Sequence, residues 1–421
     1  MKVILCCFAA RRYWSDGDEL NNAFIHVKKA TEGIFSEAYL VDDTFDLNAF
    51  SDNGEDILVA MPMSGAVQPR VLEAARLFGR VVILAGYVKD CFENSVSQKM
   101  LINNAAPAVM DIYSVLKRER DDVTLCTSCD ELKKLANAFG AIDKIRGCKL
   151  LAIGKTEPWV ISSVRNWDII KEKLQIEIVD VEQSELVELY NGITKSDLHG
   201  KEWLEGAEKL VEPTQSDVSD AARLQAALIK LIEKYNARGA AIACFQLLKA
   251  GTTACLGVSY INTYTDYVVS CEGDMDSAIT MLIMKQLARD SVWMANPNLQ
   301  PDKTVNFVHC TAPIAANGER YNYILRNHHE SGIGVSTQVE LPKNLKMTAC
   351  RISNNLSQIT IQNCVGISGD YEPSCRTQLR VQFDDFDKYI KAALGCHHIF
   401  AFKDIKQELL YVAELLKLEI L

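Results

Sequence analysis

The stretch 2-KVILCCFA-9 admits two readings: the hydrophobic segment of a secretory signal, or the first strand of an α/β sheet. Lys2 ahead of an apolar run suits the first reading, but the run is short and Arg11 and Arg12 follow it at once, so a β-strand is the expectation. The residues downstream agree. Further short apolar runs at 57-ILVAMPM-63, 80-RVVILAGYV-88 and 123-VTLCT-127 alternate with helix-period segments around 18–30, 67–78, 98–118 and 130–142. Such a β-α rhythm implies a parallel sheet covered on both faces.

The rhythm restarts at 149-KLLAIG-154, with a helix near 160–174, a strand at 176-IEIVDV-181 and a helix near 183–191. Residues 217–236 form the clearest helix, capped by Asp217, with Leu224, Leu228, Leu231, Ile232 and Tyr235 on one face and strand-like 240-AAIACFQL-247 after Gly239. Beyond residue 300 the texture changes to short β-branched runs: 304-TVNFVHC-310, 346-KMTACRIS-353, 357-SQITIQNCVGI-367 and 378-QLRVQF-383. A last helix is expected from Asp404, where D-x-x-Q resembles a capping box. The fold class expected is therefore α/β: two doubly wound Rossmann-like domains, 1–145 and 146–290, then an antiparallel β-barrel-like domain, 291–421, ending in a helix.

The bulk numbers narrow the function. A chain of 421 residues with 48% hydrophobic and 24% charged residues is globular, and its net charge of −10 speaks against general nucleic-acid or anionic-membrane binding. No apolar run reaches the length of a bilayer span. The fourteen cysteines sit mostly within strand-like runs, which suits buried free thiols in a cytoplasmic protein. There is no P-loop, no well-placed G-x-G-x-x-G and no G-x-S-x-G elbow, and Cys126-Thr-Ser-Cys129 has no second pair at a zinc-site distance.

What remains is 268-VVSCEGDMDSAITMLIMKQLA-288, where Glu272, Asp274 and Asp276 crowd between an apolar strand and an apolar helix. Acids favour a helix N-terminus, which accounts for Asp274 and Asp276 as caps or first-turn charges. If the helix begins by residue 272, Asp276 shares a face with Glu272 and Asp274 points away. Glu272, nearest the strand end, is then placed to face a cleft as metal ligand and proton-transfer base. Histidine is scarce, at positions 26, 199, 309, 328, 329, 397 and 398. His309 ends a strand-like run, His397 and His398 precede another, and His328 and His329 lie in a polar loop; His26 and His199 read as surface or packing residues. Oxygen and imidazole ligands at such a cluster suit manganese, magnesium or cobalt better than zinc held by thiolates.

Six segments in order, 254-ACLGVSYIN-262, 271-CEGDMDSAITM-281, 294-MANP-297, 309-HCTAP-313, 375-CRTQ-378 and 395-GCHHIFAF-402, resemble the L-fucose isomerase and L-arabinose isomerase superfamily, most closely its shorter L-fucose-isomerase-like bacterial members. The resemblance spans roughly residues 150–421. It implies a metal-dependent aldose–ketose isomerase, with manganese held by a glutamate, a second acid and a late histidine, and with homo-oligomers, trimers or hexamers, sharing active sites. The glutamate falls on Glu272 and the histidine on the 397/398 pair, with His398 preferred. The second acid falls on Asn296, whose amide oxygen can ligate a cation but cannot take up a proton at neutral pH. Either Glu272 shuttles the proton alone, or His309 or Asp274 replaces the missing acid. Trp159 could stack on a sugar face or serve packing alone, and Arg11, Arg376 and His397 are further candidates for substrate contact, the arginines otherwise reading as solvated surface charges. An epimerase would share such a site. The reading of a different class is a non-catalytic sugar-binding or regulatory protein that has lost the second acid.

Overall fold

The structure is a computed structural model, and it describes residues 2–14, 17–51, 53–85, 105–163, 166–194, 200–353 and 355–421. The chain falls into two compact units, Met1–Gly140 and Ala141–Leu421.

The first unit is built on a parallel sheet of β1 (Val3–Phe8), β2 (Glu37–Val41), β3 (Ile57–Pro62), β4 (Arg80–Leu84) and β5 (Val123–Cys126), in the order β2-β1-β3-β4-β5. β3 is buried at every position and β1 at all but its first, as a strand covered on both faces requires. Helices Gly17–Ala30, Gln68–Ala75, Ala106–Glu119 and Cys129–Ile145 match the expected segments, although 86–104, with parts of the expected strand 80–88 and helix 98–118, lie outside the described residues. β2 was not expected. Its sequence, EAYLV, is only partly buried at an edge and so lacks a continuous apolar run.

The second unit begins with another parallel sheet, β6 (Lys149–Ile153), β7 (Glu177–Val181), β9 (Gly239–Ile242) and β10 (Val268–Ser270), in the order β10-β9-β6-β7. The helix before β9, Gln215–Lys234, buries Leu224, Leu228, Leu231 and Ile232 as anticipated. Its N-cap is Thr214 rather than Asp217; the two exchange hydrogen bonds in a capping box. The strand expected over 240–247 stops at Ile242, because Cys244–Ala250 turns as a 3-10 helix.

The third large sheet is mixed. β11 (Val292–Leu299), β12 (Val305–His309), β17 (Lys346–Ser353), β18 (Gln358–Ile367), β19 (Thr377–Phe383) and β20 (His398–Ala401) pair antiparallel in the order β17-β20-β11-β12-β19-β18, and β18 also pairs β17. β21 (Glu419–Ile420) adds to β18 in parallel. Alternation is plain in β19, where Thr377, Leu379, Val381 and Phe383 are buried and Gln382 is exposed. The inward residues, among them Trp293, Phe307, Leu379 and Phe400, form one core. A small sheet of β8 (Lys209–Leu210), β15 (Tyr323–Arg326) and β16 (Ser336–Val339), with the pair β13 (Ala315–Ala316) and β14 (Glu319–Arg320), completes the strands. The final helix, Lys406–Leu415, starts after Asp404, whose carboxylate accepts the Lys406 N–H without being the N-cap.

Candidate metal centre

Glu272 stands two residues past the end of β10 with φ of 59°, in the left-handed region that a side chain seldom occupies, and Gly273 follows at φ 63°. Neighbouring strand ends hold this turn. The Gly273 N–H donates to the Ile242 carbonyl at 2.8 Å, the Glu157 N–H to the Glu272 carbonyl at 3.0 Å, and the Thr156 hydroxyl to the Gly273 carbonyl at 2.9 Å. A Cβ at position 273 would lie 2.6 Å from the Thr156 Cα, so glycine is needed for close approach as well as for φ. The carboxyl ends of β6, β9 and β10 are thereby stitched together under Glu272, where ligands of parallel sheets collect.

The helix after the turn runs Met275–Ala288 and does not reach back to residue 272, so Glu272 and Asp276 do not share a helical face. Asp274 is its N-cap, accepting from the Ser277 N–H at 3.0 Å and the Ser277 hydroxyl at 2.8 Å. That part of the capping reading stands. Asp274 does not point away, however: its carboxylate, fully buried, also binds Arg351 Nη1 at 3.0 Å and His397 Nδ1 at 2.8 Å. Burial raises the Asp274 pKa, but the buried Arg351 guanidinium and the His397 bond outweigh it and hold the carboxyl well below its usual range. Asp276 accepts from the Ser353 hydroxyl at 2.5 Å.

His397 is thereby fixed by Nδ1 and turns Nε2 to Glu272 Oε1 at 3.3 Å. His309, at the end of β12, is fixed through Nδ1 by the Thr311 hydroxyl at 2.7 Å. Ligand atoms of Glu272, His309 and His397 all lie within 4.8 Å of one another, a group that could hold a metal ion. The donor set fits: one carboxylate and two imidazoles, one of them oriented from behind by a carboxylate, as metal-bound histidines are. Burial, then His397, pushes His309 down to about 4, leaving it neutral and able to ligate. Burial opposes the charge on His397, yet the bonds to Asp274, Cys396 and Glu272 raise its pKa well above 6.5. Metal binding at this buried imidazole would compete with a proton. Glu272 is pulled below its ordinary value by His397 and Trp159 against the effect of burial.

Trp159 donates its indole N–H to Glu272 Oε2 at 2.6 Å, sets an edge on Phe245 and leaves 54% of its surface exposed. His398, the preferred ligand from sequence, lies elsewhere. Its ring packs against Phe307 and Tyr389, and burial pulls its pKa down to about 3. Neighbours in an extended chain turn opposite ways, so the pair HH delivers one imidazole to the cluster and one to the core. Asn296 lies in β11 opposite Val308, partly exposed. Arg376 is clamped to the Asn327 carbonyl and side chain and lies near Glu212. Arg11 belongs to the first unit, paired with Asp42 at 2.6 Å.

Two residues escaped the sequence reading. Arg351 has no exposure, and a lone arginine inside the apolar run KMTACRIS was its signal. Glu157 is buried in the segment that carries Trp159, and its Oε1 has no hydrogen-bond partner. Its pKa is raised first by burial and then by the charge of Glu272. Cys129 is disulfide-bonded, which the expectation of free thiols did not include. No helix among the described residues is long and apolar enough to cross a membrane. No protein-family model matches the chain, and no curated protein does.

Proposed function

We propose that the protein is a metal-dependent aldose–ketose sugar isomerase. The observation that carries this reading is the convergence of Glu272 with two imidazoles at the carboxyl end of a parallel strand, beneath a half-exposed tryptophan. Glu272, His309 and His397 would hold a divalent ion, manganese by the resemblance or cobalt; two imidazoles make magnesium the poorer fit. The chemistry such an ion supplies is polarisation of the two sugar oxygens next to the carbon that loses its proton. Glu272 moves that proton between C2 and C1, and its hydrogen bonds to His397 and Trp159 fix the carboxylate for the task. The exposed indole of Trp159 offers an apolar face to the sugar's C–H groups. Glu157 supplies a second carboxyl, which the amide of Asn296 cannot.

Asn296 favours one other reading, a sugar-binding protein without chemistry. Elemental analysis of the purified protein beside Glu272→Gln, followed by a ketose-formation screen over aldoses with added manganese, separates the two. Metal that is lost in the variant, with manganese-dependent turnover of any aldose, is the expected result. A folded protein with neither metal nor turnover would overturn the isomerase reading.

A further inference from the structure

A concave site lies at the opposite end of the strands of the sheet that carries Glu272. It is a cavity of about 600 Å³ walled by residues that precede the amino ends of the strands: Lys144 from the last turn of helix Cys129–Ile145, Arg238 just ahead of β9, and Asp266 ahead of β10. Lys285, Arg289 and Asp290, at the end of helix Met275–Ala288, close it. Four cations thus face two carboxylates in a chain whose net charge is −10.

Asp290 is already engaged: the Ser291 N–H donates to it at 2.7 Å, the Asn317 N–H at 2.6 Å, and Lys403, outside the cavity, approaches to 3.6 Å. Lys285 is buried in the wall, where its ammonium donates to the carbonyls of Asn262 at 2.9 Å and Tyr267 at 3.2 Å. An ammonium has three donors, and these two carbonyls take two of them. Burial lowers Lys285 to about 8, which keeps it mainly charged at neutral pH. A concave, cation-rich wall concentrates anions, and guanidinium groups match phosphate oxygens in pairs. The volume lies in the range of small-molecule sites and well beyond what a bare phosphate fills, and threonine and serine hydroxyls complete the lining.

We propose that this cavity binds a phosphorylated sugar, with the phosphate held among Lys144, Arg238, Lys285 and Arg289. The site is independent of the metal triad and of the chemistry assigned to it.

The test is isothermal titration calorimetry of the full chain with ribose 5-phosphate, inorganic phosphate and ribose, using wild type, the double variant Lys144→Gln/Arg238→Gln, and Glu272→Gln. Lys144 and Arg238 are exposed, so the double variant keeps its fold, checked by an unchanged melting temperature without ligand. Saturable binding of ribose 5-phosphate is expected, weakened at least about tenfold in the double variant and unchanged in Glu272→Gln. Any heat with ribose should be the same in wild type and in the double variant, and ribose binding that the double variant weakens as much as it weakens ribose 5-phosphate would overturn the phosphate assignment. Absence of binding, equal binding by the double variant, or loss of binding in Glu272→Gln would overturn the assignment. Inorganic phosphate binding as tightly as ribose 5-phosphate would overturn the sugar part of it.

Discussion

The two parallel sheets differ in what stands past their strand ends. After β1, Arg11 meets Asp42 with 60% of the arginine side chain in solvent. After β10, Asp274 meets Arg351 with neither side chain exposed at all. Both are carboxylate–guanidinium pairs beside a parallel sheet; in the first the Asp42 side chain is 8% exposed but the guanidinium reaches solvent, and only in the second have both partners been taken out of water. Two buried charges are retained against a large desolvation penalty only where hydrogen bonds satisfy them, and here Ser277, His397 and the Leu394 and His397 carbonyls do so. The difference teaches that the second sheet is built around a fixed polar cluster, which in turn sets the imidazole of His397.

Removing one charge from each pair should therefore give the widest gap. Arg351→Met leaves Asp274 and Asp276 buried without their cation and should lose about 3–5 kcal/mol in urea titrations. Arg11→Met should stay within about 1 kcal/mol, because Arg11 is largely in solvent and the Thr44 N–H and hydroxyl still donate to the Asp42 carboxylate. Similar losses in the two variants would break the comparison.

Metal retention sharpens the contrast within the second unit. His397→Gln should lose bound metal, measured by elemental analysis after gel filtration, whereas His398→Phe, placed among Phe307 and Tyr389, should keep it. The reverse outcome would restore the sequence preference for His398. Asp274→Asn acts one step further out. It should weaken metal affinity about 10- to 100-fold through the orientation of His397, less than loss of the ligand itself; an unchanged affinity would show that the ring needs no such support.

Much of this was legible in the sequence, and the gaps have physical causes. The inner strands of the parallel sheets announced themselves because burial on two faces demands unbroken apolar runs, as in ILVAMP of β3. The edge strand EAYLV carried no such run. Glu272 and His309 were found because each ends a strand. The choice between His397 and His398 turned on side-chain direction at the first residue of β20, which adjacent identical residues cannot reveal. Arg351 and Glu157 gained their meaning only from residues far along the chain, Asp274 and Glu272, or from the lack of a partner. Asp274 was assigned a local role correctly and a long-range role not at all.

The smallest effect expected concerns a pair between the two extremes. Glu212 is held down to about 2, first by its hydrogen bond to Arg326, and the side chains are 32% and 20% exposed. Its folded-state pKa is depressed, so its contribution to stability is complete above the ordinary glutamate value of 4.5 and disappears as pH falls through about 2. Glu212→Gln should therefore lower the melting temperature by a constant small amount, on the order of 1 kcal/mol in stability, from pH 7 down to about 5. The two curves should converge between pH 4.5 and 2. The Arg351→Met defect is compared with it at pH 7, because that variant removes the guanidinium that holds Asp274 well below the usual carboxylate range. A Glu212→Gln defect that persists unchanged at pH 2 would mean that the carboxylate charge is not what fastens β8 to β15, and that packing of the long side chains does so instead.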